Sequence, residues 1–149
     1  MRDLYKNKKV GIFGLGVTGS SVYKKLFPMD CDVICYDDNE KKRDEFGQEF
    51  SYQNIINLKD SLWTNLDFIV VSPGIPNQYP HPHRIFKHAA MYNIEIISDI
   101  DLLYLEHPDK IFVGITGTNG KSTITNMVSH ILAHNGRNFS ACGNIGTPI

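Results

Sequence analysis

"KKVGIFGLGVTGSSVYKKLF", residues 8–27, joins an apolar run to a glycine turn and then to a helical pattern. The run "KKVGIFG" (8–14) is short and apolar, and it ends in glycine, so it reads as a buried strand. Gly14, Gly16 and Gly19 follow in G-x-G-x-x-G spacing, and "TGSSVYKKLF" (18–27) reads as a helix stopped by Pro28. The pattern has meaning in this context, after a strand and before a helix. The glycines permit a tight turn and a close backbone approach, and the helix N-terminus offers N–H groups to a diphosphate. Asp37 and Asp38 end the next β-branched run, "DVICYD" (32–37), and stand 18 and 19 residues after Gly19. An acid at that place commonly holds a ribose hydroxyl. The turn alone does not separate NAD from another diphosphate ligand, nor either of them from a glycine turn that serves only helix packing.

Further along, strand and helix patterns keep alternating. "NEKKRDEFGQEF" (39–50) is strongly charged and reads as a solvated helix or turn. "LDFIVVS" (66–72) is a third strand closed by "PGIP", "HRIFKHAAMYN" (83–93) a helix, and "IEIIS" (94–98) a fourth strand. Such alternation argues for an α/β fold: a Rossmann-like parallel sheet with right-handed crossovers. The pattern then restarts. "DIDLLYLEH" (99–107) predicts a connecting helix, "KIFVGIT" (110–116) a strand, "KSTITNMVSHILAHNG" (121–136) a helix and "FSACGN" (139–144) a last strand. The third of these has apolar residues at Ile124, Met127, Val128, Ile131 and Leu132, a helical spacing that stops at Asn135-Gly136. The expected organisation is a Rossmann-like domain over 1–98, a linker helix over 99–109, and the opening of a second, P-loop α/β domain over 110–149.

"GTNGKST" (117–123) is the sharper motif. Gly-Lys-Ser/Thr at a strand-to-helix junction puts an ammonium, here that of Lys121, beside the β- and γ-phosphates of a nucleotide. It also puts a hydroxyl, here that of Ser122, on Mg²⁺. Backbone N–H groups of Gly117, Thr118, Asn119, Gly120, Lys121, Ser122 and Thr123 would cradle the phosphate oxygens. The usual G-x-x-x-x-G-K-[ST] spacing is broken, because Ile115 stands where its first glycine belongs and Gly114 and Gly117 flank it.

Taken in order, "GLGVTG", "SPGIP" (72–76), "SDIDLL" (98–103), "GITGTNGKST" (114–123) and "GNIG" (143–146) resemble the N-terminal third of the Mur ligases. The branch resembled is the one that adds D-glutamate to UDP-N-acetylmuramoyl-L-alanine. Related folate polyglutamylating enzymes usually read GKGS where this chain has GKST. The resemblance implies that the first domain binds the uridine diphosphate of the precursor rather than a dinucleotide. It places Val17, Thr18, Asp37, Asp38, Asn39, Gly74 and Asn144 against that ligand, beside Gly14, Gly16 and Gly19. The family can carry a basic residue where Asn39 stands, so a charge contact to the ligand is absent at that position. The second domain would bind MgATP. ATP would phosphorylate the L-alanyl carboxylate, and the amine of D-glutamate would displace phosphate from the acyl phosphate to form an amide. Lys121 would neutralise charge developing on the transferring phosphoryl group. The family's metal-binding histidine, modified lysine and D-glutamate site come later than residue 149. The resemblance therefore reads this chain as a truncated product, whether a fragment, a deliberate piece or the product of a degenerating gene. Its expected role is ligand binding, with D-glutamate used only by a full-length enzyme. A non-catalytic nucleotide-binding module and an NAD-dependent oxidoreductase domain are the alternatives.

The 149 residues carry 15 basic and 16 acidic side chains, so no net field steers them to nucleic acid or an anionic membrane. No apolar run approaches the roughly 20 residues of a membrane span. The glycine-rich N-terminus does not read as a signal peptide, so a cytoplasmic chain is expected. A monomer is expected as well. Cys31, Cys35 and Cys142 include no CxxC pair and read as buried, reduced thiols. "HPH" (81–83) with His88 reads as a solvated turn, and His130 and His134 as helix surface. "EKKRDE" (40–45) reads as a solvated face, while Phe13, Phe68, Phe86, Phe112, Tyr104 and Trp63 are expected in the core.

Overall fold

The structure, a computed structural model, describes residues 4–143. The chain divides into two compact units, Met1–Glu106 and His107–Ile149.

The first unit carries a four-stranded, all-parallel sheet of β1 (Lys9–Phe13), β2 (Asp32–Tyr36), β3 (Phe68–Val71) and β4 (Glu95–Ile97) in the order β2-β1-β3-β4. It is the Rossmann-like α/β arrangement that the sequence pattern predicts. Helices cover both faces, which is why the strands read as continuous apolar runs rather than as alternation. On one face Val10, Ile12, Val33, Cys35 and Val70 pack with Val22, Tyr23 and Leu26 of α1 (Val17–Leu26) and Phe46 of α2 (Glu40–Glu49). On the other, Phe13, Ile69 and Val71 pack with Trp63 and with Ile85 and Ala89 of α3 (Arg84–Met91).

Local chemistry sets the helix limits. Asn39 begins α2 by accepting the Lys41 N–H at 3.0 Å. The side chain of His83 begins α3, its Nδ1 accepting the Ile85 N–H at 3.2 Å. Ser98 and Asp101 cap α4 (Asp99–Glu106) reciprocally, a capping box. This last helix packs into the first unit through Leu102, and the half-exposed Lys25 ammonium lies 2.7 Å from the buried Glu106 carboxylate.

Trp63 is buried as expected, within a 3₁₀ turn (Ser61–Thr64), and its Nε1–H donates to Ile56 O at 3.0 Å. Several other expectations are corrected here. His83 and His88 do not form a solvated turn. The His83 ring lies 4.8 Å from that of Phe13, and His88 Nε2 is 3.0 Å from Trp63 O. Tyr104 and Phe112 are exposed. Cys35 is buried and Cys31 partly so, its thiol donating to Leu26 O at 3.0 Å, but Cys142 is exposed. Burial pushes the Cys35 thiol well above its ordinary pKa, so that side chain packs as a neutral hydrophobe.

In the second unit the helix α5 (Lys121–His134) forms, but residues 110–116 and 139–143 form no strand. A strand exists only through its ladder, and nothing in the described part of this unit pairs with either segment. Ile111 is 94% exposed, and Ile124, Met127 and Ile131 of α5 are exposed, so among the described residues the helical periodicity is present without the surface it should bury. Among the described residues no helix is long and apolar enough to cross a membrane.

Candidate functional site

The chain runs from β1 to β2 on one side and from β3 to β4 on the other. Parallel sheets bind ligands where this reversal opens a crevice beyond the carboxyl ends of the strands. At that edge the fold gathers Gly14, Gly16, Val17, Thr18 and Gly19 after β1, Asp37, Asp38 and Asn39 after β2, and Gly74 after β3.

The three glycines differ in what they do. Gly14 has φ +97°, donates its N–H to Tyr36 O at 2.9 Å and accepts the Ser72 hydroxyl at 2.8 Å. It is fastened between the strands that flank β1. A Cβ on Gly14 would stand 2.8 Å from that of Ser72, and one on Gly19 would overlap the carbonyl oxygen of Gly14. Gly16 is different, because a Cβ there would meet only the Lys42 ammonium, at 3.7 Å. Gly16 starts α1 without a side-chain cap, and the first turn of that helix holds no acid. Two of the glycines are therefore required by the fold, and the third leaves a helix N-terminus open to an anion.

The two acids also differ. Asp37 is 5% exposed; its Oδ2 accepts the Leu15 N–H at 2.7 Å and its Oδ1 the Asn39 N–H at 2.8 Å. It ties the glycine turn to the start of α2, with the Lys42 ammonium 3.9 Å away. Asp38 faces outward and is held from α3: Arg84 Nη2 lies 2.5 Å from Oδ1, and His83 Nε2 lies 2.7 Å from Oδ2. Partial burial pushes the Asp38 carboxyl up, but hydrogen bonds from His83 and Arg84, with the Arg84 charge beside them, outweigh it and hold the group below its ordinary pKa. The Asn39 side chain is committed to capping α2.

The second unit carries the loop 117–123. Gly117 (φ +146°) and Gly120 (φ +80°) adopt backbone conformations that favour glycine, and Gly120 starts α5 with no side-chain cap. The Lys121 ammonium is folded back over the loop, donating to Gly117 O and, at 3.3 Å, to Thr118 O. Thr118, Asn119, Ser122 and Thr123 are exposed. Glycines at positive φ, an uncapped helix start and a lysine that reaches the loop are a donor set suited to a nucleotide phosphate. Asn144 lies outside the described residues.

Ser72, Lys42, Arg43, His83 and Arg84 are the residues that sequence reasoning missed. Ser72 belongs to the quoted "SPGIP" and could have been found there. "EKKRDE" is not wholly a solvated face, because Arg43 Nη1 donates to Asp37 O at 2.7 Å and to Asp38 O at 3.0 Å, with its guanidinium over the Tyr36 ring. His83 and Arg84 reach Asp38 across 45 and 46 residues, a distance that no local pattern signals.

Residues 1–81 match the family model described as D-isomer specific 2-hydroxyacid dehydrogenase, NAD binding domain. Over 97% of its length the chain is 49% identical to a UDP-N-acetylmuramoylalanine–D-glutamate ligase of Rickettsia felis, of which it spans 31%. It is equally identical over 98% of its length to the protein of that name from Rickettsia prowazekii, covering 32% of it. A Wolbachia protein of the same name is 38% identical over 97% of the chain, which covers 29% of it. The chain thus spans about a third of the length of these curated relatives. A shikimate dehydrogenase from Aquifex aeolicus superposes with TM-score 0.48 at 15% identity, over 66% of this chain and 45% of that one.

Proposed function

We infer that the chain is the N-terminal third of a Mur ligase, from its 49% identity to the UDP-N-acetylmuramoylalanine–D-glutamate ligases over nearly its whole length; over residues 1–81 it belongs to the NAD-binding-domain family whose model it matches. From this premise we propose that its first unit binds the uridine diphosphate of UDP-N-acetylmuramoyl-L-alanine and that its second unit supplies the phosphate loop of an ATP site. The role is in peptidoglycan synthesis, in the cytoplasm. Residues 1–98 form the precursor-binding domain in this reading, and 110–149 open the ATP-binding one. The observation that carries it is the open helix start at Gly16, with Asp37 and Asp38 at the neighbouring strand end.

Each residue has a physical task. N–H groups at the start of α1, Val17 and Thr18 among them, would meet the diphosphate. Asp37 holds the glycine turn in shape by fixing the Leu15 N–H. Lys121 would leave the carbonyls of Gly117 and Thr118 and turn to nucleotide phosphates. Ser122 would offer its hydroxyl to the accompanying Mg²⁺. When bound, MgATP supplies the phosphoryl group that activates a carboxylate in an amide-forming ligase. Catalysis with D-glutamate requires the rest of such an enzyme.

An NAD-dependent oxidoreductase is the second reading, favoured by the match over residues 1–81. That match ends before the phosphate loop and leaves GKST unexplained. Calorimetric titration of the chain with UDP-N-acetylmuramoyl-L-alanine, ATP and NADH separates the two. Binding of the UDP precursor and of ATP is expected, and binding of NADH alone would overturn the proposal.

A further inference from the structure

The contact between Asp38 and α3 crosses the crevice. Asp38 follows β2, whereas His83 and Arg84 come after β3, and β1 lies between those strands in the sheet. The His83 ring rests against Phe13, the last residue of β1, so the bridge spans the edge where a nucleotide would lie. The geometry of His83 is constrained at both nitrogens. Nδ1 accepts the Ile85 N–H, which leaves Nε2 to carry the proton that meets Asp38. Arg84 directs one nitrogen at Asp38 and is otherwise half exposed. A carboxylate accepts about four hydrogen bonds, and side chains fill two of those places on Asp38. The remaining lone pairs, beside a half-exposed guanidinium, form an acceptor and a donor next to each other. Asn39, in contrast, is turned away into its helix cap.

The geometry points to His83 and Arg84 as positioning residues of the nucleotide site: they hold the Asp38 carboxylate, with the Arg84 guanidinium beside it, against the nucleoside end of a nucleoside diphosphate. This inference rests on the reading of the first unit as a uridine-diphosphate site. Diphosphate and nucleoside would then be read by separate groups, the first by the α1 turn and the second by this bridge.

The test compares UDP with inorganic pyrophosphate on the 149-residue chain, by calorimetry or by displacement of one from the other. The wild-type chain should bind UDP more tightly than pyrophosphate. In Arg84→Ala and in Asp38→Asn that preference should fall about tenfold, the scale of one hydrogen bond to a charged group, with pyrophosphate affinity unchanged. His83→Asn retains a residue suited to begin α3 but removes the ring that meets Asp38. It should lower the thermal midpoint on the scale of Asp38→Asn, which disturbs the same bridge, and lose part of the UDP preference with pyrophosphate affinity unchanged. A variant that weakens both ligands equally, or neither, overturns the inference and leaves the uridine-diphosphate site standing. A wild-type chain that binds pyrophosphate but gains nothing from UDP overturns the reading and the inference together.

Discussion

A methyl group on Gly19 would overlap the carbonyl oxygen of Gly14. The motif therefore separates into fold and ligand: Gly19 lets α1 sit against the end of β1, while a Cβ on Gly16 would meet only the Lys42 ammonium, at 3.7 Å. Gly19→Ala should destabilise the first unit by at least about 1–3 kcal/mol, the usual cost of overpacking, because backbone rather than a flexible side chain is in the way. Gly16→Ala should keep the thermal midpoint close to wild type and weaken UDP binding. Thermal denaturation followed by UDP titration of both variants checks the contrast. Equal midpoints for the two would remove the distinction.

The phosphate loop gives an independent prediction. The Lys121 ammonium already bonds the carbonyls of Gly117 and Thr118, so it can reach anything held in the loop. Lys121→Ala should abolish ATP binding and leave binding of the UDP precursor intact, because the two motifs belong to different compact units. Loss of both ligands in this variant would sink the two-site picture.

The Asp38 bridge also sets a pH dependence. The folded-state pKa of Asp38 is lowered, so its ionised form is favoured by folding. Such a group contributes stability that is complete above its unfolded pKa, about 3.9, and is lost as pH falls through the lower folded value. The thermal midpoints of wild type and Asp38→Asn should therefore differ most near pH 6 and converge on acidification below about pH 4. A gap that widened toward acid would contradict the lowered pKa. The bridge is half exposed, so salt should narrow the gap at neutral pH as well.

What could be read from the sequence follows from the range of the interactions. The central strands β1 and β3 were legible because each is a short apolar run buried on both faces, and α1 because Pro28 stops it soon after Leu26. The glycine turn was legible as a motif, but its division of labour was not, since Gly14 and Gly19 are constrained by atoms that the one-dimensional pattern does not bring together. Arg84 and Asp38 are 46 residues apart and meet only because β2 and α3 flank the same strand end. The predicted strand over 110–116 failed for a different reason. Its apolar composition is real, but composition cannot provide the neighbouring strand that a ladder requires.

That failure makes the last prediction. Amides of β1 and β3 are paired in the middle of the sheet, and Val10, Ile12, Ile69 and Val70 are buried. Trp63, the only tryptophan of the chain, is fully buried in the cluster with Phe13 and Ile69 of the sheet and Ile85 of α3. Hydrogen exchange should therefore find β1 and β3 protected up to the global stability of the first unit, and residues 110–116 exchanging at the rate of an open chain. Trp63→Ala should cost about 3–5 kcal/mol and lower the protection of β1 and β3 by that amount, while α5 exchange is unchanged. Protection of 110–116 comparable to that of β1 would show that this segment has a partner strand after all, and that the second unit buries the apolar residues of α5.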